Sequence, residues 1–173
     1  MKRLSRPSLW VLWLAGLWLV LGCSGALAAD ELSRLALDEV GSIGTVIAAD
    51  ETGAAEGRAA IRIETLGPAS ICLGQVTGLD VDQARLVYQA KVKCRGLEGN
   101  AFLEMWVYFG KEGPFFSRGL NSTVSGSSDW TALETPFLLR AGQKPTRITF
   151  NVYVNGSGTV WVDDIRLLKL PLP

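Results

Sequence analysis

Carboxylates and cysteines are the groups through which this chain could do chemistry, because its 173 residues include no histidine. Histidine-based triads and histidine-ligated metals are therefore excluded. No G-x-S-x-G elbow, P-loop or dinucleotide fingerprint occurs. What remains for catalysis is a carboxylate pair of the kind that cleaves glycosidic bonds, with Glu104 beside Trp106 as the acid and Asp163 or Asp164 as its distant mate. Nothing in the sequence brings these groups within the roughly 5 to 10 Å that such chemistry requires, so a non-catalytic role is expected.

The two adjacent acids stand in an odd place. Thr159 to Leu168 reads as an apolar strand that meets Asp163-Asp164 and then resumes with Ile165 and Leu167. Burying a carboxylate costs several kcal/mol unless it is paired, hydrogen-bonded or on a metal. These acids must sit at a strand end, at a bulge, or on a cation.

The elements that position these residues are strands. Leu86 to Cys94 alternates cleanly, with Leu86, Tyr88, Ala90, Val92 and Cys94 on one face and Gln89, Lys91 and Lys93 on the other. Ala59 to Glu64, Phe102 to Phe109, Thr146 to Val154 and Thr159 to Leu168 behave likewise, and weaker strands are expected near Val46, Ile71 to Val76 and Trp130 to Leu139. Asp30 to Val40 suits a short helix or an irregular first strand. Gly, Pro and Asn punctuate the runs, and Asn155-Gly156-Ser157-Gly158 reads as a hairpin turn. This pattern predicts an all-β protein, an antiparallel β-sandwich in preference to a barrel.

The N-terminus is a separate matter. Lys2, Arg3 and Arg6 precede an apolar run from Leu9 to Leu21, too short for the roughly 20 residues of a membrane span, and small residues follow. Residues 1–28 read as an export signal, with 29–173 as a single domain. Cleavage after Ala28 competes with lipidation at Cys23, whose Val20-Leu21-Gly22-Cys23 context resembles a bacterial lipobox. The expected locations are the bacterial periplasm, the outer membrane as a lipoprotein, or the medium. A membrane contact is expected only through a lipid on Cys23. With Cys23 removed or lipidated, Cys72 and Cys94 remain as a disulfide pair suited to an oxidising compartment, with two buried free thiols as the alternative. Without residues 1–28 the chain carries 14 basic and 17 acidic residues, a net charge of −3 that argues against nucleic acid as a partner.

The order of these segments resembles the jelly-roll carbohydrate-binding modules of the family four, nine and twenty-two type, among the galactose-binding-like sandwiches. The resemblance rests on Asp50-Glu51 with Glu56-Gly57-Arg58-Ala59-Ala60-Ile61, on Gln75-Val76-Thr77-Gly78-Leu79, on Asp129-Trp130 with Thr135-Pro136-Phe137, and on the closing Trp161-Val162-Asp163-Asp164-Ile165-Arg166-Leu167. It implies a jelly-roll topology and one structural Ca²⁺ held by Asp50, Glu51 and Glu56 on an early loop with Asp163 or Asp164 on the last strand. Hard carboxylate oxygens converging from distant strands suit that ion. The alternative is a solvated strand end with one acid accepting backbone N–H bonds.

Strand parity supplies the expected ligand face. Trp106, Tyr108 and Tyr153 point outward among Glu104, Asn151, Gln89, Lys91 and Arg62. Aromatic rings cover the C–H face of a pyranose while such polar groups satisfy its hydroxyls. Phe115 and Phe116 would form a loop wall. The function expected is non-catalytic binding of a glycan or polysaccharide by an exported module. The alternative is an envelope or extracellular sandwich that binds a protein partner through the same face.

Overall fold

Period-two patterning asks for a core on one side of each strand and a surface on the other. The computed structural model, which describes residues 29–35 and 47–173, meets that demand with seven strands and, among the described residues, no helix. The expected export signal and Cys23 lie outside the described residues, as do residues 36–46. The strands are β1 (Asp30–Leu35), β2 (Ile47–Asp50), β3 (Ala60–Leu66), β4 (Ala69–Thr77), β5 (Arg85–Phe109), β6 (Glu112–Leu138) and β7 (Arg147–Leu170). The Asp30 segment is thus a strand, laid antiparallel on β7 from Asp30↔Lys169 to Leu35↔Ile165.

One antiparallel ladder runs β2-β3-β7-β5-β6, and β1 and β4 also pair with β7. β5, β6 and β7 are 25, 27 and 24 residues long because each bends and serves two layers. The front layer joins β4, residues 147–154 of β7, 101–109 of β5 and 112–124 of β6. The back layer joins β1, β2 and β3 with residues 157–170 of β7, 85–95 of β5 and 128–138 of β6.

The expected hairpin at Asn155-Gly156-Ser157-Gly158 is instead a corner, and β7 continues through it. Across that corner Glu98↔Ser157, Gly99↔Gly156 and Asn100↔Asn155 stay paired, so β5 and β7 turn together. Gly99 and Gly156 adopt φ of 113° and 151°. A Cβ on Gly99 would lie 1.9 Å from the Asn155 carbonyl oxygen, and one on Gly156 would lie 1.6 Å from that of Glu98. The same residue type that signals a hairpin is required here by close backbone approach.

The core lies between the layers. Leu103, Met105, Val107, Ile148, Phe150 and Val152 from the front meet Leu86, Tyr88, Val92, Val160, Val162 and Ile165 from the back, all buried. Tyr88 and Phe150 bridge the layers with ring centroids 5.0 Å apart. Each such side chain contributes roughly 1.5–3 kcal/mol on burial. The Tyr88 hydroxyl finds no hydrogen-bond partner among the described residues.

The expected Cys72–Cys94 disulfide is not formed, and both thiols are free. Cys94 is buried in the back layer beside Ser128 Oγ at 3.3 Å, while Cys72 is exposed on β4 of the front layer, opposite Asn151. Parity places one thiol inside and the other outside, on strands of different layers.

Candidate functional site

The outer face of the front layer collects polar and aromatic side chains around one carboxylate. Glu104 points away from the core neighbours Leu103 and Met105, yet it is only 1% exposed. Its ladder partners are Asn151 on β7 and Arg118 on β6. Trp106 Nε1 donates to Glu104 Oε1 at 2.6 Å, Ser70 Oγ donates to the same oxygen at 3.3 Å, and the Arg118 guanidinium donates to Oε2. A buried carboxylate is affordable here because every hydrogen bond it accepts comes from a donor the fold fixes in place, one of them a cation.

Aromatic rings surround this centre. Tyr153 stacks on Phe102 with centroids 5.1 Å apart and planes at 22°. The Arg118 guanidinium lies 4.8 Å from the Phe116 centroid and 5.8 Å from that of Tyr153. Arg147 covers Tyr108 at 3.9 Å. Thr149 and the nearly buried Asn151 lie between them on β7, with the Asn151 amide 3.5 Å from Thr149 Oγ1. The face is an aromatic platform with a polar, charge-matched floor.

Of the eight residues expected on the ligand face, five come together here: Glu104, Trp106, Tyr108, Asn151 and Tyr153. Gln89, Lys91 and Arg62 do not. They lie on the outer face of the back layer, where Gln89 Nε2 donates to Glu134 at 3.0 Å, Lys91 Nζ to Glu56 at 2.9 Å, and Arg62 pairs with Glu64. Parity along β5 is sound, but the bend at Gly99 puts residues 89 and 91 on the opposite surface from 104 and 106. Phe115 and Phe116 belong to β6 rather than to a loop, opposite Val107 and Trp106. Arg118 and Ser70 are the residues of this face that sequence reasoning missed. Counting back from the two-residue Gly110-Lys111 turn sets Phe115 and Ser117 opposite Trp106 and Glu104, and the register shift between Val107 and Phe109, which local pattern does not signal, brings Phe116 and Arg118 there instead.

The Asp163-Asp164 oddity is a bulge. Gln89 pairs with Arg166 and Lys91 with Asp163, so β7 carries one extra residue, and Asp164 takes φ +49°. Asp163 Oδ2 accepts the backbone N–H groups of Ala55 at 2.7 Å and Glu56 at 2.8 Å, and its Oδ1 accepts that of Asp164 at 2.7 Å. Asp164 faces Arg166 at 2.6 Å, Arg34 at 3.2 Å and Lys91 at 3.8 Å. Glu56 meets the same three cations, and Lys91 above all holds its carboxyl below the usual range.

These residues do not fit a calcium ion. Asp163 spends both oxygens on backbone N–H groups, and Glu56 and Asp164 are matched by cations. Asp50 accepts from Thr52 and from Trp161 Nε1 at 2.8 Å, and Glu51 is exposed. Among the described residues no group of three carboxylates is placed to hold a metal ion. Nor do Glu104 and Asp163 flank a cleft, since they face outward from opposite layers.

With that geometry in hand, the fold can be placed among known ones. No protein-family model and no curated protein sequence matches the chain. Among solved structures it is similar to the CBM22-1 xylan-binding domain from Paenibacillus barcinonensis, at a TM-score of 0.57 and 15% identity, over 86% of this chain and 99% of that one. A xylan-binding domain from CBM 22 aligns at 0.55 and 9% identity over 83% and 97%. A family 16 carbohydrate-binding module aligns at 0.51 and 12% over 72% and 86%. At such identities the likeness is one of fold: the chain is an all-β sandwich of the jelly-roll kind that carbohydrate-binding modules use.

Proposed function

We propose that this protein is a non-catalytic, exported glycan-binding module whose ligand lies across the front layer. The observation that carries the reading is the convergence of the half-buried Trp106, Tyr108 and Tyr153 around buried Glu104, its exposed partner Arg118 and Asn151 on one outer sheet face. Rings supply apolar area for sugar C–H faces, and fixed donors and acceptors select hydroxyl positions. Two of the structural neighbours are named as xylan-binding domains, which supports a polysaccharide of that general class as ligand. Export, with retention at a membrane only through a lipid on Cys23, belongs to the same proposal.

The test is retention on insoluble xylan together with a glycan array. Tyr153→Ala should weaken binding by about tenfold or more with little change in melting temperature, and Trp106→Ala should weaken it likewise while costing about 1–3 kcal/mol of stability, because it strips a donor from buried Glu104. An array without a single binder at roughly millimolar concentration sinks the reading. A specific feature favours a second one, binding of a protein partner. Phe115, Leu138 and Phe137 line a hollow of about 500 Å³ that Glu112, Arg140 and Lys144 also border, with Phe115 47% and Leu138 55% exposed. That reading would survive an empty array.

A further inference from the structure

The back layer carries a second concentration of charge that neither the Asp163-Asp164 bulge nor the front face uses. Arg62 on β3, Trp161 on β7 and Lys93 on β5 are ladder partners in one row, and Arg95 stands opposite Thr159 one rung on. The Lys93 ammonium lies 5.2 Å from the Trp161 ring, and the guanidinium carbons of Arg95 and Arg62 lie at 5.9 and 6.0 Å. Trp130 flanks Lys93 from the other side at 5.8 Å. Asp50 pins the Trp161 indole through Nε1, and Thr52 and Gly53 complete the wall of a hollow of about 380 Å³.

Its lining holds three cations and one carboxylate. Among the described residues Lys93 and Arg95 make no ion pair, and Arg62 pairs only with Glu64, outside the hollow. One indole attracts a cation through its π face, but three like charges around one ring repel each other and leave a surplus positive potential over the hollow. An anion relieves that repulsion. A guanidinium fork beside Trp161 suits a planar oxyanion taken bidentately. The row is built on paired strands and the ring is fixed by Asp50, so the charges are held in place before any ligand arrives.

We infer that this hollow binds the carboxylate of a uronic acid unit, making the protein a reader of acidic rather than neutral glycans. The inference rests on the glycan-binding reading for the sugar and on the back layer alone for the charge. The domain beyond residue 28 has three tryptophans, Trp106 on the front and Trp130 and Trp161 on the back, so their indole N–H resonances report the two faces separately.

The experiment titrates the protein with a glucuronate-bearing xylo-oligosaccharide, its neutral counterpart, free glucuronate and sodium sulfate. Free glucuronate should shift the Trp161 resonance and leave Trp106 in place. The acidic oligosaccharide should bind about tenfold tighter than the neutral one at low salt, with the advantage shrinking in about 0.5 M salt. Arg62→Gln with Arg95→Gln should abolish the advantage and the Trp161 shift, whereas Trp106→Ala should weaken the neutral oligosaccharide and leave the Trp161 response to glucuronate unchanged. Equal affinity for the two oligosaccharides overturns the inference, as does an equal Trp161 shift with sulfate, which marks an unselective anion site. A Trp161 response to glucuronate without any oligosaccharide shift at Trp106 leaves this site standing and removes the front-face reading instead.

Discussion

The carboxylate of Glu104 and the indole of Trp106, two residues apart on β5, are joined by a hydrogen bond of 2.6 Å on the floor of the front face. The bond sets the plane of the ring and gives a buried acid one of its partners. Glu104→Gln keeps the shape but removes the charge that Arg118 and Trp106 address. It should cost about 1–3 kcal/mol of stability and lower glycan affinity together. Urea denaturation and binding isotherms on the same variant check both. A variant as stable as the wild type would show that the carboxylate does not organise this face.

Gly99 and Gly156 make a second prediction, because the corner works only while both lack a side chain. Gly99→Ala places a methyl 1.9 Å from a carbonyl oxygen and should cost more than about 4 kcal/mol or prevent folding. Gly126→Ala has φ of +63° but no atom within 4 Å of the new Cβ, so it should cost only about 1–2 kcal/mol. Thermal denaturation of the pair separates close approach from backbone conformation. Equal losses would contradict the tight corner.

The bulge at Asp163 closes the domain on the loop before β3. Asp163→Ala orphans the N–H groups of Ala55, Glu56 and Asp164 and should cost at least about 3 kcal/mol. Because cations already balance the neighbouring carboxylates, EDTA should leave the melting temperature of the wild type where it was. A fall with EDTA that calcium reverses would mean that an ion shares the clasp.

Acid should loosen the same region. The Thr52 side chain first, then Trp161 and the Thr52 amide, hold the Asp50 carboxyl at about 2, against 3.8 ordinarily. A carboxyl whose folded value lies below its unfolded one stabilises fully above the unfolded value and loses that contribution as pH falls through the folded one. Stability should therefore decline as pH drops from about 4 to about 2, and Asp50→Asn should show a shallower decline. Identical acid profiles for the two proteins would remove Asp50 from the account.

Sequence alone determined the all-β class and, within each strand, which residues turn outward. Side-chain alternation has a period of two whatever the strand pairs with, and Leu86 to Cys94 and Phe102 to Phe109 obey it. It also narrowed the Asp163-Asp164 acids to a strand end, a bulge or a cation, since burying an unpartnered carboxylate costs several kcal/mol.

Which outward residues share a surface was decided only by the tertiary structure. Glu104 and Lys91 are both outward on the same strand, yet the corner at Gly99 sends them to opposite faces, Glu104 to Trp106 and Arg118, Lys91 to Glu56 and Asp164. A glycine reads alike whether it ends a strand in a turn or lets one strand cross another too closely for a Cβ. That distinction is made by the partner backbone, which local pattern does not contain. The charge balance around Asp164 has the same origin: Arg34, Lys91 and Arg166 come from three strands, and only their register places them on the two acids.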